Sequence, residues 1–341
     1  MTPRVRVAVL SGGRSSEHEI SVASARSVVA ALDPERYETT AIEIGRDGRW
    51  EIAGNGRSLP SAGEEGVAET LPVIADKAPA RALTEVDVVL PILHGPFGED
   101  GTVQGLLELA GLPYVGAGVA ASALCMDKDL FKAVLRDRGI PVARSVTLRD
   151  GDEPRHQFPY PVFVKPARLG SSVGISKVHA EDELDAAIFL ARRHDDKVLI
   201  EELLDGIEVE CGVLGNREPI ASQVGEIVAN AEWYDYAAKY DEGGMELVVP
   251  ARISPEVTER VRTIALESFV ATECEGMARV DLFARPNGDV VVNEINTIPG
   301  FTATSVYAKL FEASGIPYGE LLDRLIELAL ERHERRKALE F

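Results

Sequence analysis

The stretch Val290-Val-Val-Asn-Glu294-Ile-Asn296-Thr-Ile-Pro-Gly300 opens like a buried β-strand and then places Glu294 and Asn296 two residues apart. In a strand that spacing puts both side chains on one face. Arg279-Val-Asp281 repeats the pattern upstream, and Pro286-Asn-Gly-Asp289 joins the two segments. Asn-Gly is a strong hairpin signal, and a loop of two or four residues centred on it sets Asp281 opposite Glu294 and Arg279 opposite Asn296. Two carboxylates facing each other on a largely buried surface repel, and desolvation sharpens the repulsion, so a positive partner is expected. The donors are oxygens, without His or Cys, which suits a hard cation such as Mg²⁺ shared with a substrate phosphate. The competing reading is an ion-paired network in which Arg279 alone neutralises the acids.

Working outward, 341 residues exceed one compact core and imply two or three domains. A hydrophobic content of 45% with 27% charged residues is that of a folding chain. The net charge of −20 repels polyanions, so nucleic acid and anionic membranes are not expected partners, and an anionic ligand needs locally placed cations. Cys125, Cys211 and Cys274 lie far apart with neither a zinc spacing nor a disulfide framework, which fits a reducing cytoplasm. The first residues run straight into a strand-like segment without the apolar core of a signal peptide, and no run is long enough to span a membrane.

Val5–Leu10 reads as a parallel strand, Ser11-Gly-Gly13 as a turn and Glu17–Leu32 as a helix. Arg46-Asp-Gly-Arg49 reads as a turn between short strands, Val86–Leu93 as a second buried strand and Thr102–Ala110 as a helix. Residues 1–121 thus form one α/β domain. A second unit, 122–214, holds a helix over Asp127–Arg138 closed by Gly139, with Lys128 and Lys132 spaced i,i+4. It also holds strands at Val162–Lys165 and Val198–Glu201 and a helix at Glu181–Arg193. The third, 215–341, carries a polar, aromatic loop over 230–244, a helix over Pro255–Thr272, the hairpin Met277–Glu294 and a C-terminal helix.

Other segments carry chemistry. In Lys165-Pro-Ala-Arg-Leu-Gly170-Ser-Ser-Val-Gly174 the glycines let backbone N–H groups approach phosphate oxygens, Ser171 and Ser172 add donors and Lys165 a point charge. The same run also reads as a plain flexible turn, and it matches neither the Walker A nor the dinucleotide fingerprint. Val198-Leu-Ile-Glu201-Glu-Leu-Leu204 with Glu208 offers an apolar edge and carboxylates suited to an adenine ring and ribose hydroxyls. Glu17-His-Glu19 could receive an ammonium group or be a solvated helix start.

Taken together these segments resemble the ATP-grasp superfamily and, within it, the D-alanine–D-alanine ligases. The resemblance rests on Gly12-Gly-Arg-Ser-Ser-Glu17-His-Glu-Ile-Ser21, His94-Gly-x-x-Gly-Glu-Asp-Gly-x-x-Gln-Gly105, Met126-Asp-Lys128, Lys165 with Gly170–Gly174, Lys239-Tyr240, Arg279-Val-Asp281 and Asn293–Gly300. These occur in family order along nearly the whole chain. The resemblance implies an α/β (α+β) fold of three domains, an N-terminal Rossmann-like (preATP-grasp) domain preceding two ATP-grasp subdomains. It implies an acyl phosphate made from ATP and a first D-alanine, attacked by the amine of a second, for peptidoglycan precursor synthesis.

By the same resemblance Lys128, Lys165, Ser172 and Lys239 would hold the nucleotide phosphates, and Glu201, Leu204 and Glu208 would border the adenosine. Asp281, Glu294 and Asn296 would bind two Mg²⁺ ions, for which Mn²⁺ substitutes. Arg279 would neutralise the transferring phosphoryl group, with the Gly300 N–H as an oxyanion donor. Glu17 and His94 would hold the first D-alanine, Ser305 and Val306 the second, and a Glu17–Ser171–Tyr240 group would favour an amine nucleophile. Phosphoryl transfer needs positioning and neutralisation more than a side-chain nucleophile, and no activated Ser–His or Cys–His pair stands among these residues. A homodimer through the N-terminal domain is also implied. Val306 after Ser305, and Ala303-Thr304 before it, depart from the usual pattern and leave open a related ligase with another second substrate.

Overall fold

From Val7 onward every residue of β1 (Val5–Gly12) is buried, because this strand has neighbours on both edges and helices on its faces. The computed structural model describes residues 3–53, 83, 85–229 and 245–340. β1 pairs in parallel with β2 (Tyr37–Ile44) and β4 (Val88–Pro91), and β3 (Trp50–Ala53) closes the edge of a four-stranded sheet. Helix α1 (His18–Ala31) makes the crossover from β1 to β2. The turn between β1 and α1 requires Gly12, whose φ is +82° and where a Cβ would lie 2.3 Å from the Ile44 carbonyl oxygen. The expected turn after β2 is present: the Gly45 N–H donates to Arg49 O over 2.7 Å, and Gly48 is left-handed.

After β4 come α2 (Thr102–Leu109), α3 (Val119–Met126) and α4 (Lys128–Asp137). Asp127 caps α4, its carboxylate accepting from the N–H groups of Asp129 and Leu130, and left-handed Gly139 ends it. The second sheet runs β5 (Ser145–Leu148), β8 (Val198–Glu202), β6 (Val162–Pro166), β7 (Ser176–Val178), all antiparallel, backed by α5 (Leu184–Arg192).

The third sheet is β11 (Met245–Val248), β10 (Ile220–Ala229), β9 (Ile207–Gly215), β12 (Gly276–Ala284) and β13 (Val290–Asn296). Helix α6 (Pro255–Ala271) packs against four of its strands. Helices α7 (Val306–Ala313) and α8 (Tyr318–Lys337) follow the sheet. Tyr307 and Phe311 of α7 join Val7, Val9 and Leu90 of the first sheet and Leu321, Leu325 and Ile326 of α8 in one core cluster, so α8 ties the N-terminal sheet to the third.

Three expectations need correction. The division after residue 214 falls at the end of β9, which pairs along its length with β12 and so belongs wholly to the third sheet; the change of sheet lies between β8 and β9. Ala121 and Cys125 of α3, and Phe131 and Leu135 of α4, pack in the core of the third sheet, although the expected boundaries assign Ala121 to the first unit and the other residues to the second. Strands β5, β7, β9, β10 and β11 and helices α3 and α7 were not anticipated; in β9, β10 and α7 the apolar pattern is interrupted by Glu208, Glu210, Gln223 and Lys309.

The hairpin register holds where the chemistry lies, but by a different route. Ala284 pairs with Val290 across a five-residue loop, Arg285–Asp289, and Leu282 pairs with Val292. A bulge at Asn293 then shifts the register, so that Asp281 faces Glu294 and Arg279 faces Asn296. The expected loop of two or four residues was too regular, and the bulge restores the pairing.

Candidate active site

A cleft of about 670 Å³ opens between the second and third sheets, with the N-terminal domain at one end. The second sheet and α4 contribute Lys128, Lys165, Ser171, Ser172, Glu201 and Leu204 to its lining. The third sheet contributes Glu208, Glu210, Arg279, Asp281, Glu294 and Asn296, and the segment after it Gly300, Ser305 and Val306. Glu17 and His94 reach the cleft from the N-terminal domain. All the anticipated site residues among the described ones therefore meet in one place; Lys239 and Tyr240 lie outside the described residues, as do Tyr234 and Tyr236.

On the floor, register places three carboxylates in a row: Glu210 of β9, Asp281 of β12 and Glu294 of β13. Glu210 was missed, because nothing short of the β9–β12 pairing shows it beside Asp281. Arg279 lies among them, its Nε 2.7 Å from Asp281 Oδ1 and 3.0 Å from Glu210 Oε2, and its Nη2 donates to Asp281 Oδ2 over 2.8 Å. Burial opposes the arginine charge, but Asp281 and Glu210 outweigh it and hold the Arg279 pKa well above its ordinary value. The Asn296 amide donates to Asp281 Oδ2 over 2.9 Å. Glu294 Oε2 lies 3.3 Å from Lys128 Nζ, which also donates to Leu169 O over 2.9 Å. Repulsion between the acids is thus balanced within the protein by Arg279 and Lys128 together, not by Arg279 alone.

This donor set fits a magnesium ion that keeps water and phosphate oxygens as its remaining ligands: two carboxylates and one amide, all oxygen donors, all lining the cleft. It does not form an all-protein cage, and among the described residues no cluster of three or more His, Cys, Asp or Glu side chains is arranged as one.

The roof is the loop between β6 and β7. Ser171 (φ +53°) and Ser172 (φ +56°) both adopt the left-handed conformation that non-glycine residues avoid, and the Ser171 hydroxyl donates to the Glu17 carboxylate. That hydrogen bond fastens the loop to the N-terminal domain. Gly95 stands beside it at φ +74°, where a Cβ would come within 2.6 Å of Glu17 Oε2.

His94 is buried with both ring nitrogens engaged: Nδ1 lies 2.9 Å from Ile298 O and Nε2 3.3 Å from Ser24 Oγ. The carbonyl requires the proton on Nδ1, and burial holds the His94 pKa below its usual value, so the ring is neutral. Glu99, in the same His94–Gly105 segment but not singled out from the sequence, accepts from the N–H groups of Gly95 and Ile298 over 2.8 and 2.9 Å. Burial, reinforced by the charge of Glu17, raises its pKa to about 8.

Glu201 has its carboxylate between two ammonium groups, Lys165 Nζ at 2.5 Å and Lys132 Nζ at 2.6 Å. Burial alone would raise its pKa; the two lysines outweigh that and hold it at about 2. At the far end, Ser305 stands at the N-terminus of α7, its Oγ accepting from the Thr302 N–H over 2.9 Å.

Two facing sheets with lysines on one side of the cleft and a row of acids on the other, preceded by a parallel α/β domain, define the ATP-grasp class of architecture. The family model described as D-ala D-ala ligase N-terminus matches residues 6–117, and that described as D-ala D-ala ligase C-terminus matches 134–327. The chain belongs to the D-alanine–D-alanine ligase family. It is 47% identical to D-alanine--D-alanine ligase A of Chromobacterium violaceum, over 98% of each chain. The D-alanine-D-alanine ligase structure from Coxiella burnetii superposes with a TM-score of 0.82 at 39% identity, covering 98% of this chain and 96% of that one. The D-alanine--D-alanine ligase of Bacillus anthracis, solved with ATP, gives 0.78 at 29% identity, covering 97% and 99%.

Proposed function

We propose that this protein condenses two D-alanines to D-alanyl-D-alanine, converting ATP to ADP and phosphate and supplying a peptidoglycan precursor. The observation that carries the reading is the opposition, across one cleft, of Lys128 and Lys165 to the row Glu210–Asp281–Glu294. In that reading Phe163, Ile175, Leu204 and Phe283 supply an apolar bed for adenine, and Glu208 accepts from the ribose hydroxyls. Glu201 offers adenine its backbone, since its carboxylate is committed to lysines. Lys128, Lys165 and the N–H groups of the Ser171–Ser172 loop hold the phosphates, and Lys239 joins them. Asp281, Glu294 and Asn296 would hold two magnesium ions, or manganese in their place; bound there, the metal supplies charge neutralisation across the phosphates.

Glu17 takes the ammonium of the first D-alanine, and His94, fixed as the neutral tautomer, shapes that subsite. The carboxylate of this D-alanine forms a bond to the γ-phosphorus as the bond to ADP breaks. The amine of the second D-alanine, having lost a proton, attacks the acyl carbon, and phosphate leaves. Arg279 and the Gly300 N–H balance charge on the oxygen that becomes anionic in this step. Ser305 and the N-terminus of α7 receive the second carboxylate, and Val306 bounds its pocket. By the family resemblance Tyr240, which lies outside the described residues, is assigned to act with Glu17 and Ser171 in favouring an amine nucleophile.

The domains 1–121 and 122–341 are read as a substrate platform and a nucleotide clamp, the clamp dividing between β8 and β9. The protein is read as a cytoplasmic homodimer joined through the N-terminal domain; among the described residues no helix is long and apolar enough to cross a membrane.

The assay is phosphate release and dipeptide formation with Mg–ATP against D-alanine, D-serine, D-lactate and L-alanine. D-alanine is expected to stimulate release and to appear in the product twice; no stimulation by D-alanine overturns the assignment. Glu294→Gln is expected to lower kcat at least about a hundredfold with the circular dichroism spectrum unchanged, and near-normal turnover would contradict the metal role.

A further inference from the structure

The buried face of α4 carries two lysines one turn apart, Lys128 and Lys132. Lys128 lines the cleft, whereas Lys132 is 0% exposed and lies behind Glu201. A fully buried ammonium is costly unless paired. Glu201 Oε2 is its ion-pair partner at 2.6 Å, and the other oxygen of that carboxylate, Oε1, holds Lys165 at 2.5 Å. One buried carboxylate therefore serves two ammonium groups, one facing the cleft and one facing away.

This arrangement solves a problem that Lys165 alone would create. Lys165 and Glu201 lie on one face of adjacent strands, Lys165 pairing with Leu199 in register, two residues from Glu201. If Lys165 were the only counterion, turning its ammonium toward a phosphate would leave Glu201 buried and unpaired. We propose that Lys132 is a positioning residue which stays on Glu201 and so frees Lys165 to engage the nucleotide phosphates. The inference rests on the nucleotide reading of the cleft, but its test reads binding and does not depend on which acceptor receives the phosphoryl group.

Dissociation constants for ATP and for adenosine are measured by calorimetry on the full chain and on Lys132→Met, Glu201→Gln and the double variant. Lys132→Met is expected to weaken ATP at least about tenfold while adenosine, which lacks phosphates, binds as before. In steady state the change falls on KM for ATP, with kcat at saturation within about threefold. In the double variant no buried carboxylate remains to hold Lys165, and ATP affinity returns to within about threefold of wild type. An unchanged ATP constant in Lys132→Met overturns the proposal. So does equal loss for ATP and adenosine, or loss that persists in the double variant. Should Glu201→Gln fail to fold, Lys132→Met and the double variant still decide the matter. If ATP and adenosine behave as stated but D-alanine does not stimulate phosphate release, the ligase reading fails and the role of Lys132 stands.

Discussion

Asp281 accepts from Arg279 through both oxygens and from Asn296 through one, so the acid at the centre of the floor is held in a single orientation before any ligand arrives. Glu201 is fixed comparably by two lysines, and its charge has a consequence for stability. Its pKa is lowered from 4.5 to about 2 in the fold, so the folded state keeps it ionised where the unfolded chain would protonate it. The stabilisation is present above the unfolded value and is lost as the pH falls through the folded one. Urea titrations at pH 6, 4.5 and 3 are expected to show a steeper loss for wild type than for Glu201→Gln, by about 1–3 kcal/mol over that range. Parallel profiles would show that the lysines do not hold the carboxylate.

Within the hairpin, the bulge at Asn293 decides which side chains face the cleft. Because side chains alternate along a strand, removing one residue moves every residue beyond it to the opposite face. Deletion of Ile295, beyond the bulge, is therefore expected to turn Asn296 out of the cleft and to lower turnover about a hundredfold. β12, paired independently with β9, should stay in place. A deletion variant that retains turnover would show that β13 does not carry Asn296 through its register. The i,i+2 pattern and the Asn-Gly turn were legible in the sequence; the five-residue loop and its compensating bulge were not, since each depends on how β12 and β13 settle against β9 and α6.

Across the whole molecule, α8 joins the N-terminal domain to the clamp. Arg332 of α8 is 3% exposed, donates to the carbonyls of Tyr114 and Gly116 and stacks 4.3 Å from the Tyr114 ring. Arg332→Ala removes both donors and the packing of the arginine stem, which is expected to cost about 2–4 kcal/mol. Thermal unfolding followed by calorimetry checks this, and an unchanged midpoint would remove Arg332 from the joint. The seam matters because Glu17, His94 and Glu99 reach the cleft only while that domain is held against it.

By itself the sequence determined which residue types face one another, because strand alternation and turn chemistry are local: the acid pair of the hairpin, the glycine–serine loop, and the chain order that marks the family. Only the tertiary structure decided the rest. Glu210 joins the acids through a neighbouring strand, Glu99 is held half-buried between the backbone N–H groups of Gly95 and Ile298, and Lys132 shares a carboxylate with Lys165. Those contacts join residues far apart in the chain, and the burial that sets their charges exists only once the sheets and helices have packed.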